Sequence, residues 1–279
     1  MDLREYFGFP EGSVVTQLYI PSYYEAQKTP CPPNMSFAFA YYKGNIVPKM
    51  DTSKVTDMSN MFDHYRGVEL DTGDMDTSKV TNMRQMFYYS TSLTSIEGLK
   101  TWNVSNVTDM EGMFYTCSNL ASLDVSGWDT SKVTNMKQMF YNCSKLTEIK
   151  GLEDLDTSKV TNMEQMFYNS SMTSLIPLDC SGITTKNGYP IYSYSNMGWT
   201  DLGGFIGMKM SWDNTYSLSK CPNLTYESCI NILNGLYDFT GNGETPNSNQ
   251  GTLKVHSNFL TLVGDEISIG TNKGWKITA

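Results

Sequence analysis

The sequence predicts an α/β repeat fold, a solenoid of short helical turns and short strands capped at both ends. Three observations predict it: a motif that recurs five times, apolar residues at helical spacing within each copy, and a strand-like run behind the motif. The copies read DTSKVTDMSNMF from Asp51, DTSKVTNMRQMF from Asp76, NVSNVTDMEGMF from Asn103, DTSKVTNMKQMF from Asp129 and DTSKVTNMEQMF from Asp156. Their valines fall at Val55, Val80, Val107, Val133 and Val160, so successive copies stand 25, 27, 26 and 27 residues apart. Such variation puts the slack in loops.

Residues 1–50 carry no copy and are expected to form an N-terminal cap, with a strand at Ser13–Ile20 and a proline-broken loop near Cys31. Residues 51–178 hold the five repeats. Each begins on an Asp or Asn (Asp51, Asp76, Asn103, Asp129, Asp156), whose short side chain accepts from backbone two residues on and fixes a turn. Met136, Met139 and Phe140 then stand at i, i+3 and i+4, one face of a helix, with Thr134 as N-cap. Thr108 with Glu111 and Thr161 with Glu164 have the spacing of a capping box. Runs ending at Ile96, Val125 and Ile149 supply strands.

No repeat buries its apolar stripe alone, so the copies must stack over one core. The phenylalanines Phe62, Phe87, Phe114, Phe140 and Phe167 and the five valines are the expected core columns. Residues 179–279 are expected to form an α+β capping module. Within it, Cys229, Ile232, Leu233 and Leu236 mark a helix behind an N-cap at Thr225, and Gly241–Gly251 is a polar loop. A strand at Thr252–His256 and a helical run from Ser257, broken near Gly264, follow; Gly274 suits a helix C′ position before a last strand.

Composition narrows the function. Twenty Lys and Arg against 29 Asp and Glu give a net charge of −9, without a basic run to follow a phosphate backbone, so no nucleic-acid partner is expected. No stretch approaches the ~20 apolar residues of a membrane span, so no insertion is expected. The opening MDLREYFGFPEGSVVTQLYI lacks a basic region followed by an apolar run, so no secretory leader is expected in it.

With His64 and His256 as its only histidines and without a nucleophile, phosphate or zinc motif, the chain is not expected to be an enzyme. A glycan-processing enzyme with an unmarked carboxylate pair is the third-ranked reading. No cofactor or metal is expected: the cysteines form no CxxC pair, and the Asp column lacks a calcium-binding glycine frame. Cys117 and Cys143 share a repeat position with Ser90 and Ser170, which selects small volume rather than a bridge.

The candidate binding residues are Tyr88, Tyr115, Tyr141 and Tyr168, one behind each of four core phenylalanines. Stacked, they make either an aromatic recognition face or rings that merely pack against their neighbours. A lysine column (Lys54, Lys79, Lys132, Lys159) reads as a solvated face.

The motif VTxMxxMFxxCxxLxxL, best kept across Val107–Met163, resembles the BspA-like leucine-rich repeat of bacterial surface proteins, and Cys221–Thr278 looks like a C-terminal module of gut bacterial surface and phage proteins. The resemblance implies a leucine-rich-repeat-like solenoid that adheres without catalysis to a protein or surface polymer, at the cell surface or outside the cell. The alternative is a phage virion protein, a fibre or decoration, whose partners are other virion chains or copies of itself.

Overall fold

A computed structural model describes residues 30–45, 47, 49–73, 75–172, 174–175, 178–183, 201–202, 205–206, 215–218, 221, 223–243 and 251–279. The strand expected at Ser13–Ile20 lies outside them. The described copies of the motif pack in register over a core in which Val55, Val80, Val107, Val133 and Val160 and all five column phenylalanines are fully buried. The phenyl rings stack face to face at 5.3–5.6 Å, starting from Phe39, which lies on Phe62 at 5.4 Å.

The predicted α/β leucine-rich-repeat-like solenoid is not what the chain forms, and two findings overturn it. First, no α-helix occurs in the described part of the repeats. Gln138 and Asn142 hold φ values of 55° and 57°, left-handed conformations that a right-handed helix cannot include. Alternate amides turn outward to the next copy: Met136, Gln138, Phe140 and Asn142 donate to the carbonyls of Asn162, Glu164, Met166 and Tyr168. The amides between them close tight turns, Met139 to Met136 and Tyr141 to Gln138. Chain turns every three to four residues either way, so Met136, Met139 and Phe140 face inward without a helix.

The capping boxes fail for the same reason. The Thr134 hydroxyl and amide both donate to the Thr108 carbonyl of the previous copy, and Thr108 does the same to Thr81. What fixes the turn is a second Asx column: Asn82, Asp109, Asn135 and Asn162 accept from the amide two residues on, as do the Asp51, Asp76, Asn103, Asp129 and Asp156 carboxyls and amides.

Second, the strands form separate short parallel pairs rather than one sheet. β1 (Glu69–Asp71) pairs with β2 (Ser95–Glu97), and β3 (Ser122–Asp124) with β4 (Glu148–Lys150). A short 3-10 turn follows the second strand of each pair. After β2, Gly98 at φ 91° starts a 3-10 turn, Leu99–Thr101, and after β4 Gly151 starts another, Leu152–Asp154. These are the two copies that precede a 27-residue step.

Residues 34–41 make a turn of the same kind ahead of the first copy, with Met35, Phe37, Phe39 and Tyr41 donating to the carbonyls of Asp57, Ser59, Met61 and Asp63. At the other end, β5 (Ser174–Leu175) and β6 (Leu178–Asp179) pair in parallel with β7 (Asp201–Leu202) and β8 (Phe205–Ile206). A three-stranded parallel sheet, β9 (Thr215–Leu218), β10 (Thr252–Val255) and β11 (Lys276–Thr278), runs in the order β11-β10-β9.

The helix α1 (Tyr226–Gly235) packs against β7, β8 and the short helices α2 (Ser257–Val263) and α3 (Ser268–Asn272). Thr225 caps α1 by accepting from the Ser228 amide, and Cys229, Ile232 and Leu233 are its buried face. Gly264 ends α2, and Gly274 at φ 88° follows α3. The Lys273 ammonium donates to the carbonyls of Leu233, Asn234 and Leu236, closing the C-terminal end of α1. No described helix is long and apolar enough to cross a membrane.

Candidate functional site

Outward from the core, each copy presents four residues side by side, exemplified by Lys137, Gln138, Tyr141 and Asn142. Because copies repeat in register, each position becomes a column running along the stack. Tyr88, Tyr115, Tyr141 and Tyr168 stack face to face at 4.9, 4.6 and 4.8 Å, all half-buried. Each inner ring has another ring on both faces, so it shows solvent only its edge and hydroxyl.

The ladder continues past the tyrosines singled out from the sequence. Tyr89, 39% exposed, lies edge-to-face on Tyr88 at 4.7 Å and stacks with His64 at 5.4 Å, and His64 stacks with Tyr41 at 5.1 Å. Arg66 covers the outer face of Tyr41 at 5.0 Å from its centroid. Seven rings are thus in unbroken contact from Tyr41 to Tyr168. The sequence reading missed Tyr41, His64 and Tyr89 because the aromatic column shifts by one position at Tyr88-Tyr89. Its signal is the likeness of NMSFAF from Asn34 to DMSNMF from Asp57, which places Tyr41 opposite His64.

Beside the rings run two polar columns. In one, Asn60 donates to Gln85 and Gln138 to Gln165 through their side-chain amides, and Asn169 donates to Asn142 in the next column over. In the other, Arg84 meets Glu111 at 3.0 Å and Lys137 meets Glu164 at 2.7 Å. Burial pushes the Tyr115 phenol up to about 12, with the Tyr141 hydroxyl beside it adding to the shift. It also raises Tyr88, Tyr141 and the Asp63 carboxyl, which His64 contacts at 2.8 Å. The face is therefore an array of neutral phenols and amides flanked by paired charges.

The other residues read from the sequence fall elsewhere. Lys54, Lys79, Lys132 and Lys159 are exposed, and Lys132 donates to Asn106, which fills the lysine position of the third copy. Hydrogen bonds from the serine two residues on hold the Asp51, Asp76, Asp129 and Asp156 carboxyls below the usual range. Of the loop at Asp63–Asp74, Asp63 is buried and Val68 exposed; of Gly241–Gly251, residues 244–250 lie outside the described set.

All six cysteines are buried and free. Cys117 and Cys143 donate to the carbonyls of Phe87 and Phe114, as the Ser90 hydroxyl does to Phe62. No described cluster of three or more His, Cys, Asp or Glu side chains is placed to hold a metal ion.

The sequence matches a family described as "Mycoplasma protein of unknown function, DUF285", at residues 33–97 and 92–176. Together the matches cover more than half of the chain and every copy of the motif. No curated protein and no solved structure matches it.

Proposed function

This chain belongs to the DUF285 family, and on that premise we propose that it is a non-enzymatic binding module of a bacterial surface, of the BspA-like kind, whose contact surface is the aromatic ladder. The observation that carries the reading is the unbroken run of rings from Tyr41 to Tyr168 on a solvent-facing side. Tyrosine supplies apolar area and a hydrogen-bonding hydroxyl at little conformational cost, which is why it concentrates in contact hot spots. Held by stacked neighbours on both sides, the rings of Tyr115 and Tyr141 are fixed before a partner arrives, so little entropy is lost there on binding.

The ring geometry also favours one kind of contact over another. With their faces covered, inner rings do not offer a platform for a stacked sugar or base; they offer a row of hydroxyls and edges to hydrogen-bonding groups of a protein or polymer. The test is retention of the full chain on mucin glycoprotein, collagen and bacterial cell-wall sacculi, compared with Tyr115→Phe/Tyr141→Phe. That variant keeps both stacked rings and removes both hydroxyls. Retention of the native chain on one of these, weakened about tenfold or more in the variant at unchanged melting temperature, supports the reading, since two hydrogen bonds are worth about 2 kcal/mol together. Equal retention of both proteins, or none by either, contradicts it.

A further inference from the structure

We propose that the aromatic face pairs with the same face of a second copy of this chain, the two stacks running antiparallel about a two-fold axis. This rests on the reading of that face as a contact surface and names its partner. The first argument is period. Columns of tyrosine, glutamine and charge repeat along the stack at ring separations of 4.6 to 4.9 Å. A partner can meet every row in the same way only if it repeats at the same step, as paired sheets with amide and aromatic ladders do. A second copy has that step by construction.

The second argument is charge. The column beside the glutamines reads Arg84, Glu111, Lys137, Glu164 in successive copies, alternating in sign. Reversed against itself, it puts Arg84 opposite Glu164 and Glu111 opposite Lys137, in both directions. In a parallel arrangement each of these charges would meet its own kind, which is strongly disfavoured. A two-fold axis that keeps each column facing itself therefore selects the antiparallel pairing.

The third argument is coincidence of centre. The four charges occupy the same four copies as Tyr88, Tyr115, Tyr141 and Tyr168. One axis midway between the third and fourth copies satisfies both columns, with Tyr115 facing Tyr141 and Tyr88 facing Tyr168. The face, roughly 20 Å by 20 Å, buries about half of the ~800 Å² each partner contributes in a standard interface, so the dimer is weak and suited to many parallel contacts between surfaces.

The test uses two charge exchanges in the full chain, Arg84→Glu/Glu111→Arg and Lys137→Glu/Glu164→Lys. Each keeps an ion pair within its own stack, so folding and melting temperature stay close to the native values. The first turns the column to −, +, +, − and the second to +, −, −, +. Either one, reversed against itself, sets like charges opposite; the two together are complementary. By sedimentation equilibrium the native chain shows a concentration-dependent dimer, each exchange alone raises its dissociation constant about tenfold or more, and an equal mixture restores association. A native chain that stays monomeric into the millimolar range overturns the proposal, as does unchanged association in the exchanged variants or a mixture that fails to recover. The two readings fail separately: monomeric native protein that is still retained through its tyrosine hydroxyls leaves the binding module standing without self-pairing.

Discussion

The ring of Tyr141 lies 4.6 Å from that of Tyr115 and within 3° of parallel, closer and flatter than any other described pair of tyrosines in the ladder. Burial and this neighbour keep the Tyr115 proton on until about pH 12, against an ordinary value of 10.0. Tyr65 is likewise pushed to about 12, and the buried Cys143 thiol from 9.0 to about 12. Groups that bind protons more tightly in the folded chain stabilise it below their unfolded pKa and lose that contribution as pH rises toward the folded one. Stability is expected to fall between about pH 9 and 12. Urea titrations across that window check it, and Tyr115→Phe should flatten the upper part of the fall.

Phe140 sits between Phe114 at 5.6 Å and Phe167 at 5.4 Å with no exposed surface. Phe140→Ala is expected to cost about 3 to 5 kcal/mol, because the stacked neighbours can close only part of the cavity. Denaturant midpoints of the two proteins measure it. A loss below about 1 kcal/mol would mean that the column is not the core.

Gly112 occupies the left-handed position that Gln85, Gln138 and Gln165 hold in other copies, at φ 59°. A side chain there would meet Gln85 Cγ at 3.3 Å. Gly112→Ala is expected to lower stability by about 1 kcal/mol through the strained backbone, and Gln85→Gly to be neutral or mildly stabilising. Opposite signs in thermal melts would contradict the backbone assignment.

The cysteines should react with a thiol reagent only as the chain unfolds, since all six are buried. Cys143→Ser should be tolerated within about 1.5 kcal/mol, because serine at that slot in the second copy makes the same bond to a carbonyl. Rapid labelling of the native protein would count against both statements.

How much of this was legible in the sequence depended on what each feature writes into side chains. The columns at Val133 and Phe140 were, since burial selects apolar residues at a fixed step. The backbone between them was not: a left-handed glutamine at Gln138 leaves no trace in residue type, and the spacing of Met136, Met139 and Phe140 is common to a helix and to the tight turns found here. Only Gly112 in that column hinted at positive φ. The C-terminal elements were readable where caps announced them, at Thr225, Gly264 and Gly274. The tyrosine column was visible, but its extension through Tyr89 and His64 to Tyr41 required knowing which copies touch.

The central claim, that contact is made by the ladder, is tested most directly by hydroxyl-radical footprinting of the full chain, free and bound to the polymer that retains it. Tyr226 lies on α1 and is not one of the ladder rings, and at 48% exposure it serves as an internal reference. Binding is predicted to slow oxidation of Tyr88, Tyr115, Tyr141 and Tyr168 several-fold while Tyr226 reacts at its free rate. Protection of Tyr226 with the four ladder tyrosines unchanged would contradict the account and place the contact on the C-terminal elements.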